Sequence, residues 1–484
     1  MMKLKHKDFL FLGFAFVLCF GVGAFSFWLG FPGYLGYDTM HILDFNISNW
    51  APVTNTIFIG LFSLIFGKHT FYVFLWNLIT LYLGIWFLIA GFYLRYKSAF
   101  ALAPLFIVLL GNVYLSNFVA LNYILMANFI FCAYSVILFL ILARQCVGKR
   151  IRATLWILVF VLLFLGLLWR HNAIFSAFPA FFIIGYLLLK DLDSTLWHYA
   201  SFIALSAILC VSLAIELPKM LSKPYLVASK HLYLLQIAGA CVPANDATCF
   251  DDSWYIFEGS AVAYFDKVKK AYNSNPIDGD LYLCQNGIFE CGALNGLKSA
   301  WLKAIFKYPH NFLSHESRFF KAMWWQNPRD YDEFEQTPSV IKPPQIIKEP
   351  PNDFKRNILQ KWDYPKDEWS INFSPLREKI YTALYNHLPV LNHAIFVAMG
   401  FALLMFSAFG IVWWRNEKCD KSLLIFTFAT ALTTFASAFI IAAMAIVTHS
   451  RYMSPVAIFS VIALVGFVAF VLDFSAKKRE SKRA

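Results

Sequence analysis

Charge is scarce in this chain. Asp, Glu, Lys and Arg supply only 14% of its 484 residues, against about 25% in soluble domains. That shortage excludes an ordinary soluble domain. Several sequence motifs are missing too. There is no P-loop and no G-x-G-x-x-G turn, so neither common nucleotide cradle is on offer. His315–Glu316 does not extend to H-E-x-x-H. No internal repeat is visible, which removes one mark of a secondary transporter.

Apolar residues take the place of charge. They make up 59% of the chain, and Phe alone occurs 52 times. Runs of about 18 residues or more nearly free of charge recur, the length a helix needs to cross hydrocarbon. A charge at the centre of such a helix costs about 2.5–3.5 kcal/mol on insertion scales. Lys and Arg accordingly gather between the runs. The net charge of +12 reads as this loop excess, not as a nucleic-acid footprint, and the tail from Lys477 to Ala484 can also touch anionic lipid headgroups.

The pattern predicts an all-α polytopic membrane protein with about ten spans. They fall near 9–29, 70–94, 98–112, 123–143, 153–169, 174–189, 198–217, 390–413, 422–447 and 453–474. The first run exceeds a typical signal core, and Trp28 and Phe31 suit an interfacial belt, so it reads as an uncleaved helix. Val53–Phe66 is too short to span and reads as interfacial or re-entrant. The basic groups at 3–7, 95–97, 144–152, 190, 415–421 and 477–483 then share one side, which the positive-inside rule makes cytoplasmic, with both termini. Three regions follow: 1–217, an N-terminal membrane part whose first outer loop is 30–52; 218–389, a large, mostly helical extracytoplasmic domain; and 390–484, a C-terminal membrane part with a basic tail. Within the large domain, 232–240 and 254–271 read as helical, and the prolines of 338–351 as an extended loop.

Four cysteines fall in that domain: Cys241, Cys249, Cys284 and Cys291. On an oxidising side they can pair. Short-loop bridges 241–249 and 284–291 are the simplest arrangement; a zinc site or free thiols are the alternatives.

Residues able to do chemistry collect in the outer turns. Asp38 sits in a loop broken by Pro32, Gly33 and Gly36. It can act as a general base on a hydroxyl, or simply cap a short interfacial helix. His41 would share its helix face, and Asp44 lies farther round. Arg170, His171 and Asn172 form a turn whose cations break the positive-inside bias. An Arg fork suits phosphate; snorkelling to headgroups is the other explanation. His449, Arg451 and Tyr452 repeat the pattern before the last span. Two outer cationic turns suggest one shared anionic ligand, with a lipid phosphate as the natural candidate. Lys307, His310, His315 and Arg318 add cations on an amphipathic stretch that could equally lie on the bilayer. Asp251–Asp252 could bind a metal but suits a solvated turn.

Three of these stretches carry a resemblance: PGYLGYD in the first outer loop with Trp50-Ala51-Pro52 after it, RHNAIF, and HSRYMSP. Together they resemble the GT-C superfamily of multispanning glycosyltransferases, which includes protein mannosyltransferases and bacterial lipid A sugar transferases. The outer domain is not matched. The resemblance implies a polyprenyl-phosphate sugar donor, a glycan, lipid or protein acceptor, and transfer, of inverting type, on the outer face of a bacterial inner membrane. It implies Asp38 as base, with Arg170, His171, His449 and Arg451 holding the leaving phosphate. His41, Asp44, Asn172, Tyr452 and Arg318 are pocket candidates. The chain lacks the Asp-x-Asp or Asp-Glu pair some members carry, so no metal or other cofactor is assigned. The competing functions are a lipid-linked glycan flippase and a non-catalytic membrane scaffold.

Overall fold

The computed structural model describes residues 5–31, 33, 53–67, 69, 71–118, 122–170, 172–190, 196–212, 220, 228–256, 261–274, 288–290, 294–325, 374–413, 421–444 and 450–483. Among them the chain is helical nearly throughout, with no strand and one isolated bridge, Tyr255 to Phe289. In chain order the main helices are α1 (His6–Gly30), α2 (Val53–Phe66), α3 (Tyr72–Tyr96), α4 (Asn122–Leu142), α5 (Lys149–Trp169), α6 (Ala180–Leu189), α7 (Leu196–Val211) and α8 (Ala228–Cys241). They continue as α9 (Ala261–Ser274), α10 (Leu297–Lys307), α11 (Pro309–Trp325), α12 (Pro375–His387), α13 (His393–Trp413), α14 (Lys421–Met444) and α15 (Ser454–Arg483).

Seven of these, α1, α3, α4, α5, α13, α14 and α15, are long and apolar enough to cross a bilayer. The chain is an integral membrane protein. Of the other three expected spans, the first is long and apolar enough only as a bent pair of helices, and the other two are shorter among the described residues. Ala99–Leu109 winds as a 3-10 helix containing Pro104, then bends by 70° into Gly111–Phe118. Proline cannot donate to an α-helical ladder, and the 3-10 form rises about 2 Å per residue, so a short stretch reaches farther. The 174–189 run is split at Phe178-Pro179 into Ala173–Ala177 and α6. α7 is described over 16 residues, and 213–217 of the expected 198–217 span lie outside the described residues.

α4 is the hub: its whole span window is inside the protein, whereas only 17% of that of α1 is. Small residues make the hub possible. A Cβ added at Gly84 of α3 would lie 2.6 Å from the Phe131 ring of α4, and one at Gly91 would lie 3.2 Å from the Phe139 backbone. Glycine at such positions lets two membrane helices approach closely. α1 instead turns Phe9, Leu10, Phe14 and Val17 outward. So large an apolar surface belongs against lipid. Hydroxyls on α14 stay internally bonded, as a dry setting requires: Thr433 Oγ1 lies 2.6 Å from Tyr134 Oη, and Ser437 Oγ 2.7 Å from Ser176 Oγ.

The helix ends sort into two sets. At one end Lys97 Nζ lies 3.0 Å from the buried Asp8 carboxylate, and Lys477 lies 3.0 Å from Asp473, which also pairs with Arg95. Lys190 Nζ donates to Ser422 Oγ, 232 residues away in the chain, at 2.9 Å. The basic groups that sequence assigns to one side thus cap ends of α1, α3, α6, α14 and α15. At the opposite end, Asn112 exchanges two hydrogen bonds with the backbone of Leu391 just before α13, and α12 buries Tyr381 and Tyr385 in the bundle core.

Residues 228–325 build a helical unit around a separate core that includes Leu234, Phe250, Trp254, Phe265, Phe289 and Phe319. α8 contains the expected 232–240 helix. The expected 254–271 helix starts late: Asp251 accepts from the backbone of Ser253, Asp252–Trp254 is a 3-10 turn, and Tyr255 joins the bridge. Cys241 and Cys249 are disulfide-bonded; Cys284 and Cys291 lie outside the described residues, as does 338–351. α11 ties the unit to the bundle, packing Met323, Phe320 and Trp324 against residues of α13, α14 and α15.

Candidate functional site

The site is best built from Tyr123, at the start of α4. α5 ends at Trp169, and Arg170 leaves it in extended conformation. The Arg170 guanidinium carbon lies 3.5 Å from the Tyr123 ring centre. The Tyr452 ring, in the turn that precedes α15, meets Tyr123 nearly edge-on, with centres 4.8 Å apart at 73°. Two of the three sequence stretches singled out above therefore converge on one aromatic ring. They do so at the end opposite the basic cluster. A guanidinium stacked on an aromatic face has its plane fixed, with its N–H donors directed around the rim.

Below this pair the bundle is unusually polar. Asn128 lies five residues beyond Tyr123, about 7 Å deeper at 1.5 Å per residue. Its amide donates to Asn117 Oδ1 at 2.7 Å and to the Asn77 carbonyl at 3.1 Å. Asn128 Oδ1 and Asn172 Oδ1 are buried without a hydrogen bond among the described residues. Each unmatched buried acceptor costs about 1–3 kcal/mol. Trp169 closes the side with its ring 5.3 Å from Phe58 of α2.

No protein family model, curated protein or solved structure matches this chain.

Asp38, His41, Asp44, His171 and His449 lie outside the described residues. Arg451 lies in the Ser450–Met453 turn. The loop that carries Asp38 leaves from a defined anchor. Arg377 of α12 donates to the Leu29 carbonyl from Nε and Nη2, at 3.1 and 3.0 Å, and to Phe31 O at 2.7 Å. These are the last carbonyls of α1, which have no intrahelical partner and attract a cation. Charge-assisted hydrogen bonds are worth about 1.5–3 kcal/mol. Arg377→Ala is expected to lower the thermal midpoint and to increase cleavage by added protease between 31 and 52. A cleavage pattern identical to wild type would show that the anchor does not hold the loop.

Sequence reasoning missed Tyr123 and His393. Nothing distinguishes Tyr123 from the other 22 tyrosines before its partners are seen. His393 opens α13, is 1% exposed, and has neither ring nitrogen hydrogen-bonded among the described residues. Its local sequence NHAIF echoes HNAIF at 171–175, and that was the available signal.

Within the unit 228–325 one expected cation is paired and another is neutral. Lys307 is tied to Asp246 at 2.8 Å, together with the Tyr308 hydroxyl at 2.9 Å. Burial raises the Asp246 carboxyl, but the donors Lys307, Thr248 and Tyr308 outweigh it and hold the group well below the usual range. His315 is buried, which with the charge of Arg318 pushes it down to about 4, so at neutral pH it is not a cation. Asp251 serves its own turn, accepting from Ser253 N and Oγ at 2.9 and 2.7 Å. Among the described residues no cluster has metal-ligand composition.

Glu316, beside His315, is pushed up to about 7 by burial, against a hydrogen bond from Gln236. An acid with a raised folded pKa takes up its proton first in the folded state, so its contribution to stability grows as pH falls from about 7 toward 4.5. His315 acts the other way: its contribution is present above 6.5 and is lost as pH falls through about 4. The neighbours oppose one another over most of that window. Glu316→Gln is expected to expose the His315 limb alone. The thermal midpoint, followed by tryptophan fluorescence, then falls more steeply on acidification than in wild type. Parallel profiles would mean that Glu316 does not titrate there.

Proposed function

We propose that this chain is a membrane glycosyltransferase of the GT-C kind. It moves a sugar from a polyprenyl-phosphate donor to a glycan, lipid or protein acceptor on the extracytoplasmic face of a bacterial inner membrane. Ten spans, completed by 98–112, 174–189 and 198–217, put the basic end and both termini in the cytoplasm, and 218–389 outside. The observation that carries this reading is the meeting of Arg170 and Tyr452 on Tyr123, at the end where the Asp38 loop leaves α1.

The donor phosphate lies against Arg170 and Arg451, with His171 and His449 as further donors. Asp38 takes the proton of the acceptor hydroxyl as its oxygen attacks the anomeric carbon. The bond from that carbon to the phosphate oxygen breaks, and polyprenyl phosphate leaves with its electron pair. The cations stabilise the charge that develops there. A phosphate leaving group needs no proton, so one base is enough. Asn172 and Asn128 offer buried acceptors to sugar hydroxyls, which supports a polar ligand entering the bundle end.

A flippase would carry its charges near the bilayer midplane. The described ion pairs of the spanning helices lie at helix ends instead. The test uses purified protein in proteoliposomes with a radiolabelled polyprenyl-phosphate sugar. Label appearing on acceptor, with polyprenyl phosphate released in equal amount, is expected. Donor crossing the bilayer intact without transfer would overturn the reading.

A further inference from the structure

A cavity of about 90 Å³ opens between α8, α9 and α11, apart from the Tyr123 site. Its volume equals about three waters at 30 Å³ each. Asn311, Ser314 and Arg318 line it from one stripe of α11, at spacings of three and four that put them on one face. His310 and His315 join them, and Tyr272 closes the cavity from α9. Gly239 of α8 makes the close approach possible, because any Cβ there would collide with the His315 ring.

The chemistry of this lining is one-sided. Every polar side chain can donate, and among the described residues no carboxylate lines the cavity. The nearest acid in sequence, Glu316, faces Gln236, which Trp301 also holds at 2.8 Å. Arg318 and His310 are exposed and have no ion-pair partner among the described residues. Tyr272 Oη lies 2.9 Å from His315 Nδ1, while the buried His315 Nε2 has no hydrogen bond among the described residues. The Arg318 charge reaches both members of this pair.

We propose that this cavity is an oxyanion-binding subsite, built to hold a phosphate or carboxylate group of a ligand that docks on the 228–325 unit. The Arg318 fork supplies the paired donors that match two oxygens. Ser314, Asn311 and His310 hold the remaining edge. Binding selects the tautomer in which Tyr272 donates to Nδ1 and His315 Nε2 carries the proton. Under the transferase reading the group belongs to the acceptor, but the subsite does not depend on that reading.

The test is calorimetric titration of the purified full-length protein in neutral detergent, without sugar donor, using inorganic phosphate and acetate as separate probes. Saturable binding of at least one probe is expected, weakened about tenfold or more by Arg318→Ala and only partly restored by Arg318→Lys, which keeps the charge without the fork. Arg318 is exposed, so both variants should fold, and an unchanged thermal midpoint checks this. Phosphate alone binding identifies a phosphate ligand; acetate alone, a carboxylate; either supports the subsite. No saturable binding of either probe, or equal affinity in Arg318→Ala, overturns it. Because no transfer is measured, failure here leaves the transferase proposal standing, and failure of transfer leaves this one standing.

Discussion

Asp38→Asn is expected to insert in the membrane at the wild-type level and to transfer sugar about 10²–10⁴-fold more slowly, the usual contribution of a positioned general base. The amide keeps the size of the carboxylate but cannot accept the proton of an attacking hydroxyl. Asp38 acts on the acceptor in this mechanism, so binding of the donor should be unchanged. That split is the informative part. Asp44→Asn gives the comparison: it alters a nearby charge without removing the base, and a much smaller loss is expected. Full activity in a well-expressed Asp38→Asn protein would remove Asp38 from the mechanism. Equal losses for both variants would point to the charge of the loop instead.

Arg170→Ala should cost about 10²–10³-fold in rate, as removal of one preorganised donor to a developing charge does elsewhere. Here donor affinity should weaken as well, because in the proposed mechanism the guanidinium contacts the phosphate before and during the reaction. Lys at this position should recover only part of the loss. It keeps the charge but has neither the flat face that lies 3.5 Å from the Tyr123 ring centre nor the forked donors. Tyr123 supplies an independent check. Phe preserves the stacking face, whereas Ala removes it, so Tyr123→Ala should move in the direction of Arg170→Ala and Tyr123→Phe should stay near wild type. If Tyr123→Ala retains full donor affinity, the stacking does not position Arg170 for phosphate.

Much of the architecture was readable along the chain, and particular elements show why. α3, α4 and α14 announce themselves because a charge-free run of their length has one stable setting. The Ala99–Leu109 segment did not, since an apolar run looks the same whether it winds as α or 3-10 helix. Its proline and its docking before α13 decide the form. At the candidate site, Arg170 stood out as a cation where cations are rare. Tyr123 did not, being one aromatic among many. Lys307 is a cation as expected, but its charge is spent on Asp246, 61 residues away in the chain, and burial leaves His315 uncharged.

Residue content along the chain is enough to specify a membrane-embedded helical protein with basic groups gathered between its spans. Transfer into hydrocarbon is close to a sum over neighbouring residues, so a local window carries the answer. Tertiary structure alone decided that Arg170 and Tyr452 meet on Tyr123, that Arg377 caps α1, and that α8, α9 and α11 enclose a donor-lined cavity. Those are pairings between distant segments, and their energies exist only once the helices have packed.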